Sequence, residues 1–285
     1  MEQKLTLGTT ELHYLDTGGP GPALVLLHGL NESLTSYRAA VDLLAGMMRV
    51  LAPDLRGHGR SSWVPDQYRV QDYAADIIAF LAEVVGEPVV LAGHSLGGLM
   101  AAYIASRPGP APRGLVLEDP PLFTAQMPAL QDTPFYPIFV QTRDLLRAHH
   151  QRAGTVDDLV EIVGQWPANE SQTILEAAGE QFTRQFAWQL HHSDPETLTV
   201  TIDGRLFGAF APETDLPRVQ CPTLLLAGTY ERGGAMEAAD VQAAARLLPA
   251  CSYAVWDDAG HSLHEQFPER YVQAVQTFLE QRGVL

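Results

Sequence analysis

Residues Val89 to Gly98, reading Val-Val-Leu-Ala-Gly-His-Ser-Leu-Gly-Gly, constrain the fold more than any other stretch of the chain. An unbroken apolar run, Val89 to Ala92, reads as a strand buried on both faces. Leu96 to Ser106 reads as a helix packed through Leu96, Leu99, Met100, Tyr103 and Ile104. Between them, Gly93-His94-Ser95-Leu96-Gly97 fits the pattern G-x-S-x-G. A chain that turns from strand to helix within one residue forces Ser95 into strained backbone, and side chains at 93 and 97 would strike neighbouring backbone. The turn lifts the Ser95 hydroxyl clear of the sheet and sets it at a helix N-terminus, where developing negative charge is favoured. Ser95 is therefore the candidate nucleophile.

The remaining chain alternates strands with helices. Lys4 to Leu7 and Glu11 to Leu15 predict an opening hairpin, and Gly18 to Pro22 breaks the pattern. Ala23 to Leu27 is a second fully apolar strand, ending at His28-Gly29-Leu30-Asn31. Helical spacing from Leu34 to Leu44 leads to a strand at Arg49 to Asp54, and a further helix, Tyr73 to Val85, stops at Gly86. After the nucleophile helix comes a strand at Gly114 to Asp119, closed by Pro120-Pro121. From Leu122 to about Arg218 no strand alternates, and prolines punctuate helical pieces rich in Phe, Trp, Gln and His. Strand rhythm then returns at Thr223 to Gly228 and Ser252 to Trp256, with helices near Glu237 to Leu248 and Pro268 to Gln281. The pattern predicts an α/β fold, a mostly parallel doubly wound sheet interrupted by a helical insertion.

Composition removes whole classes of function. Apolar residues make up 46% and charged residues 18% of 285, enough to bury a large core. A net charge of −16 disfavours nucleic acid and anionic membrane as partners. The opening residues, Met1 to Thr6, hold no run of signal-peptide length, so a cytoplasmic location is expected. Cys221 and Cys251 lack metal-type spacing and are expected to be free thiols. His149-His150 and His191-His192 lack ligand spacing and read as surface pairs. No P-loop, dinucleotide fingerprint or His-Glu-x-x-His occurs, so neither cofactor nor metal is expected.

Four landmarks occur in one order along the chain: His28-Gly29, Asp54-Leu55-Arg56-Gly57-His58-Gly59, Gly93-His94-Ser95-Leu96-Gly97-Gly98 and Gly260-His261. With them the sequence resembles the α/β-hydrolase superfamily in its cap-bearing branch. That resemblance implies an eight-stranded sheet, a core domain formed by residues 1–121 and 219–285, and a helical cap over 122–218 inserted after the sixth strand. It implies His261 as the base that takes the Ser95 proton. The orienting acid is open between Asp119, at the end of the sixth strand, and Glu231, three residues past Gly228 after the seventh. The implied oxyanion donors are the backbone N–H groups of Leu96 and Leu30. His28, His58 and His94 are expected to support the site, Asp54 to hold a turn, and His264 has no assigned role.

A serine at the elbow disfavours dehalogenases and epoxide hydrolases, whose relatives attack with aspartate there. The absence of a tryptophan after Ser95 disfavours proline iminopeptidase activity. The expected reaction is hydrolysis of small carboxylic esters or lactones through an acyl-enzyme, by a monomer or homodimer. Phe123, Phe135, Tyr136, Trp166 and Trp188 are candidates to line the substrate pocket. Two alternatives stand: a C–C bond hydrolase of ring-cleavage products, which needs cap arginines such as Arg143, Arg147 or Arg184 facing a carboxylate, and a ligand-sensing protein with little turnover.

Overall fold

A computed structural model describes residues 1–19, 21–109, 111–169 and 171–285; Pro20, within the predicted break, lies outside the described residues. The strands are β1 (Glu2–Leu7), β2 (Thr10–Asp16), β3 (Ala23–Leu27), β4 (Arg49–Pro53), β5 (Val90–His94), β6 (Gly114–Glu118), β7 (Thr223–Gly228) and β8 (Cys251–Trp256). They form one eight-stranded sheet in the order β1-β2-β4-β3-β5-β6-β7-β8. β2 runs antiparallel to both its neighbours, and every other pairing is parallel.

Because successive residues of a strand point to opposite faces, the all-apolar central strands feed two cores at once. Leu91, Leu115, Leu117 and Leu225 pack on one face against α2 (Val70–Phe80), α3 (Leu96–Ala105) and α9 (Ala238–Leu247). Val90, Ala92, Val116 and Leu226 pack on the other against α1 (Arg38–Leu44) and α11 (Pro268–Gln281). The chain leaves β3 toward β4 on one side while β5 lies on the other. Such a switch point opens a crevice at the carboxyl ends of the strands, where ligands bind in open α/β sheets.

The segment after β6 is helical. It carries α4 (Phe135–Gln151), α5 (Val156–Val163), α6 (Ile174–His191), α7 (Pro195–Ile202) and the single turn α8 (Pro212–Asp215). Leu146, Leu159, Val163, Ala187, Leu190, Leu198 and Ile202 close a small apolar core of its own. Its last part differs, since Leu206, Phe210 and Leu216 pack into the larger core beside α3. α7 is tied down at its start: the buried Tyr68 hydroxyl donates to Asp194 Oδ2 at 2.6 Å, and the Asp194 N–H donates to the Gly57 carbonyl at 2.8 Å. A short helix, α10 (Leu263–Gln266), follows the loop after β8.

Among the described residues no helix is long and apolar enough to cross a membrane. Cys221 and Cys251 are free.

Candidate active site

β5 delivers Ser95 into a backbone conformation of φ 50° and ψ −114°, a left-handed region that side chains adopt only under constraint. The constraint is visible on both sides. The Ser95 N–H donates to the Glu118 carbonyl at 2.9 Å, and the Ser95 carbonyl accepts the Leu99 N–H at 3.0 Å, opening α3. A Cβ at Gly93 would run into the Gly97 carbonyl, and one at Gly97 into the Leu27 carbonyl. The two glycines serve close approach of three backbone segments, and within the elbow the strain falls on Ser95.

β8 ends at Trp256, and the following loop carries His261. Its Nδ1 lies 2.7 Å from Oδ2 of Asp119, a fully buried carboxylate at the end of β6. A carboxylate accepts, so Nδ1 carries the proton and Nε2 is the nitrogen able to take another. The same Oδ2 accepts the Ala235 N–H at 2.7 Å, which fixes the carboxylate. Glu231 belongs to that same loop, but it sits exposed on a short turn, Tyr230–Arg232, and is not brought to His261. The loop therefore supports Asp119 through a backbone amide. Ser95, His261, Leu30 and Leu96 all line one cavity of about 90 Å³. Leu96 begins α3, whose first N–H groups have no carbonyl a turn earlier to bond.

Two further carboxylate–histidine pairs lie directly beneath. Glu118, the residue before Asp119, accepts from His264 Nδ1 at 2.8 Å and from the His264 N–H at 2.9 Å, both residues being fully buried. Tyr37 stacks on the His264 ring with centroids 4.1 Å apart. Burial opposes charge on each partner, but their mutual attraction raises the His264 pKa and lowers that of Glu118.

His94, the residue before Ser95, faces Glu32 Oε1 from Nδ1 at 3.0 Å, an ion-pair contact off the hydrogen-bond line. Its Nε2 donates to the backbone carbonyl of His261 at 3.1 Å. Glu32 Oε2 in turn accepts the Gly29 N–H at 2.8 Å. Burial works against the His94 cation, yet the charges of Glu32 and Glu118 prevail and raise its pKa to about 10. One imidazolium thus braces three loops: the one after β3, the elbow and the loop of His261. Glu32 and Glu118 were missed in the sequence. The readable signal was parity, because Glu118 and Asp119 are adjacent and must serve opposite faces, while His261 and His264 stand three residues apart to receive them.

The other predicted supports are in place. His28 Nδ1 donates to the Gly29 carbonyl at 2.8 Å and Nε2 accepts the Leu55 N–H at 3.0 Å, a neutral ring whose pKa burial lowers. His58 is buried against His28, and desolvation takes its pKa down to about 3. Asp54 accepts from Leu34 N–H, Arg60 N–H and His13, holding the turn after β4.

Of the five aromatic pocket candidates, Phe135 lines the cavity, together with Phe139. Phe123 packs against the main core, Tyr136 and Trp166 against the core of the insertion. Trp188 stacks on His192 at 4.0 Å, with the Arg60 guanidinium over its ring. Amphipathic spacing identified them as apolar-facing, but which apolar face a residue meets is decided by packing between helices. The three insertion arginines considered for a substrate carboxylate turn to acids: Arg143 to Asp144, Arg147 to Glu196 and Arg184 to Asp157.

The paired histidines of the insertion are not separate surface pairs. His149 is fully buried, and its Nε2 meets His191 Nδ1 at 2.9 Å between α4 and α6. Among the described residues no group of three or more His, Cys, Asp or Glu is arranged to hold a metal.

A family model described as alpha/beta hydrolase family matches residues 24–274. The chain is 29% identical over 269 residues to N-formylmaleamate deformylase of Pseudomonas putida, covering 94% of this chain and 92% of that protein. It is 30% identical over 272 residues to the magnesium-chelatase 30 kDa subunit of Rhodobacter capsulatus, covering 91% and 87%. Among solved structures, the enol-lactonase of Burkholderia xenovorans superposes with a TM-score of 0.75 at 21% identity, covering 98% of this chain and 100% of that one. At that identity the likeness is one of fold.

Proposed function

The chain belongs to the alpha/beta hydrolase family, and from that premise we propose that it is a serine hydrolase of small carboxylic esters or lactones. The observation that carries this reading is the 2.7 Å bond from His261 to buried Asp119, with His261 and strained Ser95 on one cavity wall. In this mechanism Asp119 holds His261 with Nδ1 protonated, and Nε2 takes the proton of Ser95 as its oxygen attacks the carbonyl carbon. Negative charge on the carbonyl oxygen is met by the N–H groups of Leu96 and Leu30. His261 returns the proton to the leaving alcohol, an acyl-enzyme remains on Ser95, and water activated by the same imidazole releases the acid. In this reading residues 122–218 act as a cap, contributing Phe135, Phe139, Thr201 and Leu206 to the cavity wall.

The C–C hydrolase alternative loses support, because it needs a cation for the substrate carboxylate and Arg143, Arg147 and Arg184 are paired elsewhere. Similarity to a magnesium-chelatase subunit keeps the sensing alternative in play, since that relative is not named for hydrolysis. Incubation with a fluorophosphonate separates the two readings. A hydrolase gives one covalent adduct on Ser95 and a burst of nitrophenol from p-nitrophenyl acetate; folded protein that gives neither is a binding protein.

A further inference from the structure

Among the described residues, the cavity that holds Ser95 is lined without a single lysine or arginine, and each of its remaining polar side chains is already committed. Apart from Ser95 and His261, those side chains are Thr124, Thr133 and Thr201. A hydroxyl has one proton to give, and all three give it to backbone. Thr124 Oγ1 donates to the Ala235 carbonyl at 2.7 Å, Thr133 Oγ1 to the Leu130 carbonyl at 2.8 Å, and Thr201 Oγ1 to the Thr197 carbonyl at 3.1 Å. What the threonines still present to a ligand is lone pairs. The rest of the wall is hydrocarbon, chiefly Leu30, Leu99, Phe135, Phe139 and Leu206. Beneath it the carboxylates of Glu32 and Glu118 are matched by His94 and His264, and Asp119 holds His261, so those histidines are already engaged with acids of the protein.

Resting on the serine hydrolase reading above, we propose that this cavity selects an uncharged hydrocarbon acyl group and rejects acyl groups that end in a carboxylate. A carboxylate brought there would leave water and find lone pairs and apolar carbon, with no lysine or arginine on the wall to meet it. The selection runs against what the name N-formylmaleamate deformylase suggests for that relative, an acidic substrate. A volume of about 90 Å³, far below the ~300–1,000 Å³ of pockets for drug-sized ligands, favours acyl chains of a few carbons.

The test compares two activated esters of the same heavy-atom shape, p-nitrophenyl isocaproate and p-nitrophenyl hydrogen succinate, in which an isopropyl end replaces a carboxylate. The isocaproate should lead in kcat/KM by roughly 100-fold or more. Equal or faster hydrolysis of the succinate would overturn the selectivity while leaving the hydrolase reading intact. Failure of both esters, with no fluorophosphonate adduct on Ser95, would overturn both. The variant Phe139→Arg, on the half-buried face of α4, supplies the missing cation and should narrow the ratio by about tenfold or more. An unchanged ratio would locate the discrimination outside this cavity and sink the assignment.

Discussion

Two of the histidine clusters in this molecule, one beneath the elbow and one between α4 and α6, are separated by one ingredient. Beneath the elbow, His94, His261 and His264 each face a carboxylate, respectively Glu32, Asp119 and Glu118. Between α4 and α6, His149, His150 and His191 face mainly one another. Burial lowers the pKa of all three in the second group, whereas the carboxylates raise those of His94 and His264 in the first. The same side chain is thus neutral filling in one place and a held cation in the other. Carboxylate company, more than depth, decides which.

The comparison breaks most visibly at the nucleophile. Ser95→Ala should lower kcat by on the order of 10⁵–10⁶-fold on an activated ester while circular dichroism stays unchanged. Next comes the acid: Asp119→Asn should cost about 10⁴-fold in kcat, and Glu231→Gln less than about twofold. Equal mild losses in both would detach Asp119 from the chemistry. The brace should matter less but measurably. Glu32→Gln or His94→Asn should cost roughly 10- to 100-fold in kcat, with KM little changed, because both shift the loops that carry the donors and the base. His191→Gln, in the carboxylate-poor cluster, should leave kcat alone and cost about 1 kcal/mol or less in urea unfolding.

Acidity sharpens the contrast, because the two clusters respond with opposite sign. The folded His94 pKa, about 10, lies above its ordinary 6.5, so its stabilisation is whole below pH 6.5 and drains away as pH rises toward 10. For His149, His150 and His191 the shift is downward from 6.5, so the unfolded chain binds protons more readily. Their contribution stands above pH 6.5 and is lost on acidification. Urea midpoints measured across pH should therefore lose their alkaline slope in His94→Asn and part of their acid slope in His149→Leu. Slopes changed on the same side by both variants would contradict the assignment.

Strand and elbow positions were legible because the signal is local: β3 and β5 read as apolar runs, and Gly93 to Gly97 carries its own steric logic. The place of His261 after the last strand was legible. Which carboxylate it bonds was not, because Asp119 and Glu231 both follow strand ends, and the choice lies in how residues 229–235 curl. Hydrogen bonds from Arg232 N–H and Gly234 N–H back to the Thr229 carbonyl turn Glu231 outward and present the Ala235 amide to Asp119. The aromatics of the insertion were unreadable for a related reason, since helical period gives an apolar stripe without naming what it meets. Glu32, three residues past Gly29, looked like any loop acid until the fold set His94 against it.

The left-handed twist at residue 95 has a price in robustness. Ser95→Gly removes the penalty that any Cβ incurs at that φ, so this variant, inactive under the proposed mechanism, should melt at or above the temperature of Ser95→Ala. Selection for thermal endurance alone would therefore wear away the hydroxyl on which the proposed chemistry rests, and breeding a hardier version requires scoring turnover alongside heat tolerance.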